Sequence, residues 1–167
     1  MTSGLALFTL AHIVISLVGI FSGFVVLFGM FANKRLDMWT MIFLVTTVAT
    51  SASGFGFPFD HLLPSHKVGI ISLVVLTLTI FARYGRHLAG AWRKVYVIGA
   101  AIALYLNVFV LVVQAFEKVP ALKALAPTQT EPPFLIAQLV VLACFIVFAV
   151  LATIRFRGEP TGTPRAA

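Results

Sequence analysis

The sequence predicts an all-α integral membrane helix bundle of five transmembrane helices, with the N-terminus outside and the C-terminus in the cytoplasm. Three observations predict it. Of the 167 residues, 60% are hydrophobic and only 10% charged, where a soluble domain carries about 25% charged residues. The apolar residues come in long uncharged runs instead of amphipathic stripes, and a run of about 20 is what the hydrocarbon core asks of a helix. The basic residues gather at the ends of those runs, where cationic side chains meet lipid headgroups and set topology.

The first run, Leu5–Ala32, has no Lys or Arg ahead of Lys34 and is longer than a signal-peptide core, so it reads as a retained anchor. The second, Met38–Pro58, follows Asp37, which suits the cap of a helix. The third, Val68–Ala82, is the shortest, about 22 Å of helix at ~1.5 Å per residue. Leu62, Leu63 and a snorkelling Lys67 extend it, and Ser65 after Pro64 can cap it. A re-entrant third segment would leave four spans. The fourth run is Val95–Phe116 and the fifth Phe134–Ile154, whose start is marked by Thr130 before Pro132 and Pro133. Between them, Val119, Leu122 and Leu125 fall near helical spacing beside Lys118 and Lys123, the pattern of a short helix lying on the outer surface. Residues 1–157 thus form one transmembrane domain. Residues 158–167, rich in Gly, Pro and Thr, read as a disordered cytoplasmic tail.

Orientation follows from counting cations. Lys34 and Arg35, then Arg83, Arg86, Arg93 and Lys94, then Arg155, Arg157 and Arg165 lie at one end of the runs. Lys67, Lys118 and Lys123 lie at the other. The richer end belongs in the cytoplasm, and an odd number of spans is needed for this alternation. The same distribution excludes nucleic-acid binding despite a net charge of +7, because a phosphate-tracking face needs clustered cations. The single cysteine, Cys144, lies inside the last run, and no Cys/His spacing suggests a metal site.

Polar side chains inside a bilayer are costly, so each calls for a reason. His12, Ser16, Gly19 and Gly23 share one face of the first helix, and Gly19 and Gly23 form a GxxxG seam that admits another backbone. Gly54, Gly99 and Ala103 join them as packing positions. His12 is either a hydrogen-bonded packing residue or a ligand and proton-handling group. Asn107, Gln114 and Gln138 are amides that lipid cannot satisfy. They act as interhelical glue or line a pocket open to the outside, with His66 just above. The cytoplasmic halves look plainer, so a site, if there is one, is expected to face out. A haem held by two histidines fits poorly, since of the four only His12 lies well within a span. No carboxylate lies within a span to couple protons, and no inverted repeat is visible.

The strings Phe57-Pro58-Phe59, Pro64-Ser65-His66-Lys67-Val68-Gly69-Ile70, Gly90-Ala91-Trp92-Arg93, Leu104-Tyr105-Leu106-Asn107-Val108-Phe109 and Ala126-Pro127-Thr128-Gln129-Thr130-Glu131-Pro132-Pro133-Phe134 give the chain a further character. With them it resembles a family of small uncharacterised inner-membrane proteins of proteobacteria, over nearly its whole length apart from the tail. The resemblance implies a bacterial inner-membrane location and carries no activity.

Three readings follow. The first is a non-catalytic bundle binding a protein partner or a second copy of itself through the small-residue faces of the first two helices. The second is an outward-facing module for a small ligand, quinone or haem around His12, Asn107, Gln114 and Gln138. The third is a channel or transporter subunit that works as an oligomer.

Overall fold

In the lipid core there is no water to satisfy main-chain polar groups, so each apolar segment must close its own hydrogen bonds as a helix. The computed structural model describes residues 3–57 and 64–158, and these are helical with no strand among them. Helix α1 is Ser3–Phe31 and α2 is Asp37–Ser53, followed by a 3-10 turn over Gly54–Gly56. Helix α3 is Pro64–Ile80 and runs on into a π-helical turn, Phe81–Gly85. Helix α4 is Trp92–Lys118, the short α5 is Pro120–Leu125 and α6 is Pro132–Arg155. Five of these, not four, are long and apolar enough to cross a membrane: α1, α2 with its 3-10 turn, α3 with its π turn, α4 and α6. The chain is a multi-pass membrane protein.

Four local expectations are corrected. The third span continues past Ala82 to Gly85, because the residue that ends its apolar run, Arg83, is folded inward instead of marking the interface. Asp37 does not cap α2. Leu36 holds that position without a side-chain bond, and the Asp37 carboxylate is engaged by two arginines. Nor does Thr130 cap α6, whose preceding residue is Glu131. Its hydroxyl pairs with that of Thr128 at 2.6 Å. Helix α5 occupies the stretch where a short helix was expected. Ser65 falls inside the first turn of α3, which begins at Pro64, so it is not that helix's cap. Leu62 and Leu63, and most of the expected tail, lie outside the described residues.

Helix α1 packs on α2, α4 and α6, while α4 also packs on α3 and α6. Between apolar helices in lipid the attraction comes from close fit more than from hydrophobicity, and the glycines provide that fit. A Cβ on Gly23 would stand 2.6 Å from Leu104 Cδ1 and 2.9 Å from the Phe43 ring, and one on Gly99 would fall on the Thr79 hydroxyl. The crevice left between Gly23, Met30, Phe43 and Leu104 is apolar and about 10 Å³. The outer faces carry exposed Phe21, Leu139 and Ile154, as a lipid-facing surface should.

One end of the bundle is tied across three segments. Asn33, with φ +52°, stops α1 in a Schellman-type turn in which Lys34 N–H donates to the Gly29 carbonyl at 2.8 Å. The Asn33 side chain then accepts Arg157 N–H at 2.7 Å. Arg93 donates to the Phe156 carbonyl. The α1–α2 connection, the foot of α4 and the exit of α6 are thereby joined at the basic end.

Candidate functional site: a buried guanidinium at the basic end

Asp37 opens α2 and Arg83 lies in the last turn of the third span, so two adjacent antiparallel helices bring them to the same level. Arg83 is 1% exposed and binds the Asp37 carboxylate through Nη2, while Asp37 remains 68% exposed. Arg35, from the α1–α2 connection, donates its Nε–H to the same oxygen, Oδ1, at 2.8 Å. Two cations therefore converge on one carboxylate oxygen.

The walls are aromatic. The Arg83 guanidinium lies 5.0 Å from the Tyr96 ring centre and 5.6 Å from that of Tyr84, within cation–π range. Tyr96 is itself buried, with its hydroxyl 3.3 Å from that of buried Thr40. Arg83 Nε is buried and has no hydrogen-bond partner among the described residues. The π turn that carries Arg83 is closed by Arg86 N–H donating to the Phe81 carbonyl, five residues back, at 2.9 Å. Such turns are rare and concentrate at functional positions. An ionised side chain in a span is by default a candidate functional group. The arrangement can hold an anion by charge and by guanidinium hydrogen bonds.

At the opposite end, the positions singled out from sequence take separate partners. His12 Nδ1 pairs with Ser53 Oγ at 2.8 Å, and its ring meets Phe57 edge-on. Asn107 donates to Thr47 Oγ1 at 3.3 Å. Gln138 donates to the Phe109 carbonyl at 3.2 Å, leaving its own buried carbonyl oxygen without a partner. Gln114 reaches Glu117 at 3.4 Å on the exposed surface. His66 is buried and stacked on Phe55 at 5.4 Å. Among the described residues no hydrogen bond links His12, Asn107, Gln114 and Gln138 to one another. Ser16 bonds back to the His12 carbonyl at 2.7 Å. Gly19 faces Thr46 and Thr47, Gly23 faces Phe43 and Leu104, and Gly99 faces Thr79. Gly54 has open space where a Cβ would be. Ala103 is buried. The GxxxG seam is thus filled by the chain's own α2 and α4.

Sequence reasoning overlooked the Arg83 cluster because a hydropathy reading treats any arginine at the end of an apolar run as an interface marker. The available signal was Asp37, an acid next to Lys34 and Arg35 at the cation-rich end and level with Arg83. In the α5–α6 connection, Glu131 titrates below the ordinary glutamate range. Desolvation is the largest single influence and pushes it up, but hydrogen bonds from the Thr128 hydroxyl and from main-chain N–H groups, Thr128 and Thr130 among them, together outweigh that.

No protein-family profile, curated protein or solved structure matches the chain.

Proposed function

We propose that the protein is a non-catalytic helix bundle of a bacterial inner membrane, N-terminus outside and C-terminus in the cytoplasm, that acts by binding at its basic, cytoplasmic end. The observation that carries this reading is Arg83: a guanidinium inside a span, 1% exposed and paired with one shared carboxylate, in an end tied together across three segments. The resemblance to small proteobacterial inner-membrane proteins and the excess of cations at that end support the location and orientation. Several polar side chains within the spans bond to one another, as in His12–Ser53, Ser51–Ser72 and Asn107–Thr47. This supports a bundle that holds its shape while it binds. The partner reading does not rest on Gly19 and Gly23, which the chain itself covers. A photoreactive side chain introduced at exposed Ala89, in the α3–α4 connection, is expected to give defined crosslinked species in native membranes, and one at Ala124 in α5 is not. Adducts at Ala124 with none at Ala89 would count against the basic end as the binding end.

A second reading, a small-ligand, quinone or haem module at the outer end, is favoured by one observation: the buried, unpartnered carbonyl oxygen of Gln138. It predicts that the purified protein takes up a quinone or haem and that Gln138→Leu abolishes the uptake. A colourless preparation that takes up no haem removes the haem form of it.

A further inference from the structure

We propose that the Arg35–Asp37–Arg83 cluster is the seat of one phosphate group, carried by the headgroup of an anionic phospholipid. This deepens the reading of the basic end as the binding end by naming the ligand.

Charge is the first ground. Two guanidinium groups share one carboxylate, which leaves the cluster one positive charge in excess. A phosphodiester supplies the missing negative charge, and its oxygens suit the planar fork of an arginine. Hydrogen-bond supply is the second. Arg35 has its Nε–H on Asp37, and among the described residues no hydrogen bond engages its two Nη groups. Arg35 is 26% exposed and makes the direct contact. Arg83, buried and with a donor to spare, supplies field and fixes Asp37; it is a positioning residue. Place is the third. The cluster lies where α2 begins and the third span ends, the depth of headgroup phosphates, and basic sites between helices at this depth recognise anionic headgroups. Beside it Met38, Phe81 and Tyr84 are 64%, 49% and 48% exposed. An acyl chain and glycerol backbone cover such side chains, and inorganic phosphate does not, which favours the lipid as the source.

The test is native mass spectrometry of the full chain released from nanodiscs of equal phosphatidylglycerol and phosphatidylcholine. The expected result is one phosphatidylglycerol retained in preference to phosphatidylcholine. Arg35→Gln should weaken retention about fivefold, the factor equivalent to ~1 kcal/mol per cation at an anionic surface, with at most a small fall in melting temperature, because Asp37 is exposed and keeps Arg83 as its partner. Lys123→Gln, at the other end, should change nothing. Equal retention of the two lipids, or wild-type retention by Arg35→Gln, overturns the proposal. Stabilisation by inorganic phosphate in phosphatidylcholine nanodiscs, lost in Arg35→Gln and without phosphatidylglycerol retention, overturns the lipid source and leaves the phosphate chemistry. A protein crosslinked at Ala89 with no lipid preference would remove this inference while sparing the proposed function.

Discussion

Truncating Asp37 to Ala strands a buried guanidinium, whereas changing Arg83 to Met strands only an exposed carboxylate that still has Arg35. The two halves of one ion pair should therefore have unequal effects. Removing one partner of a fully buried pair costs ~3–5 kcal/mol, and an exposed pair is worth ~0–1 kcal/mol. With Arg83 1% and Asp37 68% exposed, Asp37→Ala falls between, at about 2 kcal/mol. For a chain of this size that is a fall of roughly 4–8 °C in melting temperature. Arg83→Met loses the contact with the Tyr96 ring, but its thioether packs on the same ring and the cost of burying a charge disappears. Its net effect should be within about 1 kcal/mol of zero. The double variant should match Arg83→Met alone, so the coupling between the sites is as large as the Asp37→Ala effect. The assay is thermal unfolding in a zwitterionic detergent at fixed scan rate, without anionic lipid. Arg83→Met costing more than Asp37→Ala, or the double variant equalling the sum, would refute the picture of a buried cation dependent on an exposed anion.

Other consequences follow from the same contacts. Gly99→Ala places a methyl group on the stiff, buried Thr79 side chain and should cost ~1–3 kcal/mol, with recovery in Gly99→Ala/Thr79→Ala; thermal unfolding of the pair checks this. Gly23→Leu should destabilise the single chain, because Phe43 and Leu104 already fill that face; unchanged stability with altered oligomer size in light scattering would contradict it. The depressed pKa of Glu131 means that its bonds to Thr128 and Thr130 hold the turn together above the ordinary carboxylate range and are lost as pH falls through the lowered value. Amide signals of Thr128 and Thr130 should therefore move together with the Glu131 carboxylate in an NMR titration and stay fixed in Glu131→Gln.

The spans were legible because lipid imposes a simple demand, length of apolar helix, and the runs meet it. The third was drawn too short at Arg83, where the rule that charges mark interfaces gave way to pairing with Asp37. That pairing joins positions 46 residues apart, and no periodicity reports it. The polar residues expected to face outward were legible singly, as groups needing partners, but their partners were not. Depth along a helix is readable from sequence, while the direction in which Gln138 or Asn107 points depends on how the helices turn about their axes. The glycine seam on α1 was legible as a packing face. That its occupants are α2 and α4 of the same chain required the fold.

The proposed function requires the basic end to lie in the cytoplasm. In a Cys144→Ser background, single cysteines at Ala89 and Ala124 report opposite ends of the bundle, and a membrane-impermeant maleimide applied to intact cells reads them. Labelling at Ala124, with labelling at Ala89 only after the membrane is opened, is the predicted result. Labelling at Ala89 in intact cells would contradict it.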